Sequence, residues 1–442
     1  MKAIKTDPKM FISSPYIKCP KCGKESFGIL MICDHHYCRR CRECFYPRGT
    51  ESSASYPLPK LDKKIIYVDQ FAISNMMKSL NPQTKAYQKG RLDGFWIRLF
   101  ERLDSLCKLQ LIICPVSDFH TNESLLSPYF EPLKRMYKLL SQDVSFCDCE
   151  TIKSFQIYDH AMNWISGKEE KQLKLDVHSI VYGNINAWQD KLTISVNLQY
   201  GPDWIDDLKK TREKIHKGLS EIFRQWQSEK NKTFDDWFEK ESMDFGRLTA
   251  QIYLKYRERF AQISQGQVEL TRNDMVPVPS VTLVHSIRDA FKRTGIQDHN
   301  IWSKIGEYLA SSSLKNIPFV KISSMLYASL ARKAANGRKK RPNQGMVNDI
   351  AIISALLPYC DAMFIDNECH AYLKEQPLCD AIAYGTAIFS QNTRVEFLNY
   401  LDKIELKATR EHLDKVNEVY GKSWRDPYKT LYKEKSGRLG KS

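Results

Sequence analysis

The sequence predicts an α/β fold: a mostly parallel, three-layer sheet, interrupted by a large helical insertion and preceded by a small cysteine-rich module. Three observations carry this. Short apolar runs, IIYV at 65–68, LQLIICPV at 109–116 and AMFIDN at 362–367, alternate with segments of helical spacing. The stretch 146–315 breaks that alternation with a charged, tryptophan-bearing sequence whose helical periodicity is clearest over 205–265. Six of the cysteines fall between Cys19 and Cys44.

Residues 1–50 are the cysteine-rich module. Cys19-Pro20-Lys21-Cys22 and Cys41-Arg42-Glu43-Cys44 are two C-x2-C turns separated by eighteen residues. Each tight turn lets two thiolates reach one ion, the spacing of a zinc ribbon. Gly23 suits the turn after the first pair. Cys38 forms another C-x2-C with Cys41, and Cys33, His35 and His36 lie close by, so further ligands stay open. No ligand position looks free for substrate, so the zinc would support folding. Arg39, Arg40 and Arg42 make the tip basic and able to meet phosphates. The other seven cysteines read as ordinary buried thiols. Residues 51–61, rich in Ser and Pro, read as a linker.

The α/β domain should run in two parts, 62–145 and 316–418. In the first, strand 65–68 ends in Asp69. Helices follow at 71–80 and 91–108, the second with Phe95, Trp96, Leu99, Leu103 and Leu106 on one face. Strand 109–116 leads into a helix capped by Ser117 or Asp118. In the second part, IPFVKI (317–322) reads as a short strand and 323–335 as a helix. A basic loop at 336–345 follows, then a helix at 346–360 and strand 362–367 ending in Asp366. Strand 386–391 and a closing helix at 393–415 complete the domain. A basic tail, 419–442, ends the chain. Within the insertion, Trp164, Trp188, Trp204, Trp226 and Trp237 are read as core packing. Strands remain open for 172–202.

Lys plus Arg exceed Asp plus Glu by 67 to 52, a net charge of +15 that favours a polyanionic partner. No segment approaches the ~20 apolar residues of a membrane span, and the first residues lack the apolar core of a secretion signal. The expectation is a cytoplasmic protein with no membrane partner. No G-x-G-x-x-G follows a strand and no G-x-x-x-x-G-K-[ST] is present, which disfavours dinucleotide and nucleoside-triphosphate chemistry. The G-x-S-x-G elbow of α/β hydrolases is missing too.

Four acids stand where chemistry can use them. Asp69 and Asp366 end strands, and ligand sites in open parallel sheets lie outside the carboxyl ends of the strands. Asp349 opens a helix, and Glu123 sits in the first turns of another, both expected at that same edge. Gathered carboxylates repel, so such a cluster calls for cations, and hard oxygen ligands select Mg2+ or Mn2+.

The order of Asp69 in IIYVDQF, Glu123 in SDFHTNES, Asp349 in GMVNDIAIIS and Asp366 in AMFIDNE resembles that of PIN-domain nucleases. The resemblance covers about half of the chain. It implies a Rossmann-like sheet of strand order 3-2-1-4-5, a divalent-metal phosphodiesterase site, and RNA more often than DNA as substrate. Many PIN domains carry Ser, Thr or Asn two residues after the first acid; here Phe71 stands there, with Gln70 or Ser74 as substitutes. A zinc ribbon ahead of such a core resembles uncharacterised bacterial proteins and suggests, by analogy alone, a toxin or phage-defence effector. In this reading one ion rests on Asp69 and Asp366, and a second on Asp349 and Glu123. His120, Asn348, Asn367 and Glu368 are supporting candidates. Arg338, Lys339, Lys340 and Arg341, with Arg39 and Arg40, would hold nucleic acid. A homo-oligomer or a regulatory protein partner stays open. The alternative is a non-catalytic zinc-ribbon protein that binds nucleic acid on a degenerate PIN-like scaffold.

Overall fold

The computed structural model describes residues 13–33, 36–44, 46, 55–90, 93–168, 171–189, 202–275, 278–343 and 345–432. Its N-terminal part is an antiparallel sheet of β1 (Ser13–Lys18), β2 (Glu25–Cys33), β3 (His36–Cys41) and β4 (Ser55–Pro57), in that spatial order. Strand β4 falls inside the stretch that reads as a linker. Tyr56 stacks on Tyr37 at 4.9 Å, and Leu58 and Leu61 are buried, so apolar contacts tie that stretch down.

The central sheet joins β5 (Lys64–Val68), β6 (Ile112–Ile113), β9 (Ala362–Phe364) and β10 (Ala387–Phe389) in the order β10-β9-β5-β6, all parallel. A parallel bridge from Val116 to Ser145 adds β7 (Ser145–Phe146) beyond β6. Counted along the chain, the five strands then lie in the order 3-2-1-4-5. β7 also pairs antiparallel with β8 (Val181–Tyr182), a strand within the ambiguous stretch 172–202.

Alternation along the strands separates two cores. Ile66, Val68, Ile112, Ala362 and Phe364 pack with helices α1 (Gln70–Leu80), α3 (Gly94–Lys108), α5 (Phe130–Ser141) and α15 (Arg394–Leu406). Ile65, Tyr67, Ile113, Met363 and Ile365 face the other way, onto α11 (Pro318–Ala335) and α12 (Met346–Leu356). These are the three layers expected of an α/β sheet.

The insertion is helical: α6 (Cys149–Ile165), α7 (Pro202–Ser228), α8 (Phe234–Ser264), α9 (Pro279–Arg293) and α10 (Asp298–Leu309). Trp188, Trp226 and Trp237 are buried and Trp164 packs against Phe291 and Tyr308, as core residues do; the Trp204 side chain lies outside the described residues. No helix among the described residues is long and apolar enough to cross a membrane.

Three elements differ from expectation. Residues 317–322 form no strand; they cap and open α11, with Pro318 at the first helical position, where its missing N–H costs nothing. A short apolar run cannot be told from a buried helix by periodicity. The strand expected at 109–116 shrinks to Ile112–Ile113, because α3 runs to Lys108 and Gln110 turns back at φ 60°. The closing helix is two, α15 and α16 (Arg410–Tyr420), with Thr409 capping the second. The expected tail begins later too: Val419, Tyr420 and Tyr432 are buried, and 433–442 lie outside the described residues.

Candidate metal centres

The first centre is built by the turns after β1 and β3. Donor atoms of Cys19, Cys22, Cys41 and Cys44 all lie within 4.8 Å of one another. Cys19 and Cys44 sulfurs are 3.6 Å apart, and those of Cys22 and Cys41 3.7 Å. A tetrahedral site with metal–sulfur bonds of ~2.3 Å requires sulfur separations of about 3.8 Å. The four cysteines therefore fit a metal ion such as zinc. The Glu43 and Cys44 N–H groups and the Ser26 hydroxyl reach the Cys41 sulfur. Burial raises this thiol, but those hydrogen bonds prevail and bring it down to about 6. Cys38 and His36 lie outside the cluster. The Cys33 side chain and His35 fall outside the described residues.

Arg39 is not free to meet phosphate. It is buried, donates to the carbonyls of Pro15, Phe27 and Glu418, and lies over the Tyr37 ring. It joins the cysteine module to α16. Arg40 stays partly exposed, and Arg42 stands over Tyr16.

The second centre lies at the carboxyl edge of the central sheet, between β5 and β9. There the strand order reverses, so the loops diverge and leave a crevice. Adjacent parallel strands in register, Val68 opposite Phe364, bring Asp69 and Asp366 to that edge together. Both cap helices. Asp69 Oδ1 accepts from Phe71 N–H at 3.0 Å; Asp366 Oδ1 accepts from Glu368 and Cys369 N–H at 2.7 and 3.1 Å, opening α13 (Asn367–Lys374). Glu123 comes from α4 (Asp118–Leu125), and Asn348 Nδ2 donates to it at 3.2 Å. Asp349 comes from the first turn of α12.

These acids act on one another's charge, so they stand near one another at this edge. Burial raises the Asp69 carboxyl to about 7 against the lowering Phe71 N–H bond, and Glu123 and Asp366 add to the rise. Burial raises Asp349 to about 9, with Asp69, Asp366, Glu123 and Glu368 adding to it. None of Asp69, Asp349 and Asp366 is in an ion pair among the described residues. The tightest grouping is one that sequence spacing does not predict: one donor atom each of Asp349, Asp366 and Cys369 lie within 4.8 Å of one another. Asp69 and Glu123 stand outside that triplet.

The supporting residues are mostly structural. His120 is buried; its Nδ1 accepts from Ser117 N–H and its Nε2 donates to the Val68 carbonyl, so its ring caps α4 and braces β5. Burial pushes it down to about 4, against the raising bond to Val68, which leaves it neutral. Gln70 is held by Tyr137 and Ser124. Phe71 packs on Trp96 and Phe364. Asn367 accepts from Asn392 N–H. Glu368 is paired with Arg338 at 2.6 Å and accepts from the Tyr372 hydroxyl. Arg338 thus anchors the basic loop beside the acids, while Lys339, Lys340 and Arg341 are exposed. Cys369 carries one signal in sequence, its position three residues after a capping acid, which fixes it at that acid's side. Compared with protein-family models, with curated proteins and with solved structures, the chain matches none.

Proposed function

We propose that this chain is a divalent-metal-dependent nuclease that hydrolyses phosphodiester bonds, in RNA before DNA. The observation that carries the reading is the convergence of Asp69, Glu123, Asp349 and Asp366 from four separate segments on the crevice between β5 and β9. Raised carboxyls at Asp69 and Asp349, paired with no cationic side chain among the described residues, mark a pocket that protons or cations must neutralise. The donor set is oxygen-rich and suits Mg2+ or Mn2+. Such an ion supplies an activated water and neutralises charge at the scissile phosphate. The chain's own residues hold and orient: the caps on α1 and α13 fix one oxygen each of Asp69 and Asp366, and Asn348 steadies Glu123.

Exposed Lys339, Lys340 and Arg341, on a loop anchored at Arg338, are suited to the phosphate backbone. The preference for RNA rests on the resemblance to PIN domains, and a setting in toxicity or phage defence on analogy with bacterial proteins that place a zinc ribbon ahead of such a core. The strand order 3-2-1-4-5 supports that resemblance. The cysteine cluster is proposed to carry a structural zinc.

The test is incubation of the purified chain with labelled RNA and DNA in Mn2+, Mg2+ or chelator. Cleavage should require the cation, and Asp69→Asn should abolish it without lowering the melting temperature. Cleavage by Asp69→Asn at the wild-type rate rejects the site. Cation-independent retention of RNA without any cleavage favours the binding-protein alternative.

A further inference from the structure

A thiol stands among the carboxylates. Cys369 is fully buried at the third position of α13, held beside Asp366 by the bond from its own N–H to Asp366 Oδ1. Its sulfur lies with one oxygen each of Asp349 and Asp366 inside a 4.8 Å group, 3.7 Å from the Met346 sulfur. Two further atoms point to a ligand here. Asp366 Oδ2 is buried without a hydrogen-bond partner, and so is the hydroxyl of Tyr67, a residue 1% exposed. The Tyr67 hydroxyl stands in the field of Asp69, Glu123 and Asp349, on the same face of the sheet as Cys369. Buried polar atoms are usually satisfied, so the unpartnered hydroxyl of Tyr67, in the field of Asp349, supports a bound group beside this triplet. Mg2+ demands oxygen ligands in near-octahedral array, whereas a sulfur donor favours softer ions.

We propose that Cys369 joins Asp349 and Asp366 in binding a divalent cation and biases this pocket toward thiophilic ions such as Co2+ and Zn2+ over Mg2+. Binding releases the sulfur-bound proton to solvent and leaves a thiolate–metal bond. The inference rests on the cation site of the proposed nuclease, but its test does not rely on cleavage.

Full-length chain, given one equivalent of Zn2+ to fill its four-cysteine cluster and freed of any excess, is titrated with Co2+ alone and with Mg2+ alone. Near-ultraviolet thiolate-to-cobalt absorption and the thermal shift are followed. Wild type should develop the band. Cys369→Ser, which retains the N-terminal cluster, should lose it and bind Co2+ at least about 10-fold more weakly, while its Mg2+ thermal shift is unchanged. Asp366→Asn should lose both responses. An undiminished band in Cys369→Ser removes the thiol from the site and leaves the carboxylate centre standing. No thermal shift with either ion in wild type overturns the thiol proposal and the nuclease reading together. Should the Ser variant not fold, cadmium-113 resonance of wild type decides. A second signal, distinct from that of the four-sulfur cluster and shifted downfield of an all-oxygen site, supports the mixed site; a single signal, or a second one in the all-oxygen range, overturns it.

Discussion

Asp349 is the residue on which the electrostatic argument is sharpest. Its carboxyl, raised to about 9 by burial and then by four neighbouring acids, keeps in the folded protein a proton that the unfolded chain gives up near pH 4. Between those values the folded state binds more protons, so stability falls as pH rises across the window, in protein free of exchangeable cations. At pH 8 the penalty is on the order of a few kcal/mol, since every tenfold change in a protonation equilibrium is worth ~1.4 kcal/mol. Asp349→Asn removes the titrating group. It should raise the melting temperature clearly at pH 8 and far less at pH 5, where the native carboxyl is already protonated. The check is thermal unfolding of both proteins at the two pH values in buffer stripped of free divalent ions. An equal difference at both would mean that the carboxyl ionises as it would in water. His120 shows the opposite case: a basic ring near the acids, yet neutral and fully occupied by Ser117 and Val68, so its proximity carries no catalytic weight.

Among the elements, α8 illustrates how a single atom sets a packing distance. A Cβ built on Gly246 would stand 1.9 Å from the Leu309 carbonyl oxygen and 2.8 Å from a Leu314 methyl carbon. Ala is the better helix former by roughly 1 kcal/mol. That gain is small beside forcing α8 away from the end of α10, since overpacking typically costs about 1–3 kcal/mol and backbone yields less readily than a side chain. Gly246→Ala should therefore lower stability by roughly 2 kcal/mol or more, read as a shift in denaturant midpoint; a neutral or stabilised variant would show that the two helices slide freely. This contact is not legible in sequence, because a helical glycine reveals nothing about what crosses it. The strands carrying Asp69 and Asp366 are legible, because buried parallel strands are unbroken apolar runs and their ends are marked by the acids. IPFVKI reads wrongly as a strand for a related reason: one turn of a fully buried helix is as apolar as a strand, and only Pro318 hints at a helix start. The fate of the arginines is hidden as well. Arg39 and Arg338 sit in basic runs, but Glu418 and Glu368, distant in sequence, engage them.

At the scale of the molecule, the cysteine module and the α/β domain form one continuous packing problem. The module's own core is small: Cys19, Phe27 and Cys41, with Cys44, Tyr46 and Tyr56 against them. A second group of its residues, Ile29, Ile32 and Tyr37, packs with Leu109 and Trp188 and with Val416, Val419 and Tyr420 of α16. A unit this size buries too little to hold four strands by itself, and small domains of this kind rely on a metal or a partner surface. Here both are available, which predicts a graded response to metal removal. Stripping the four-cysteine cluster with a strong chelator, or replacing Cys22 with Ser, should unfold β1 to β4 in a transition below that of the rest of the chain. Trp188, now partly uncovered, should report it as a red-shifted fluorescence step, and limited proteolysis should cut within 13–57 while sparing the segments around Asp69 and Asp366. The acidic pocket, built wholly from the central sheet and its helices, should keep its response to Mn2+ after that step. Were the chelated protein to melt in one unshifted transition, with 13–57 as protected as before, the cysteines would not be holding a structural metal and the module would stand on its docking against α16 alone.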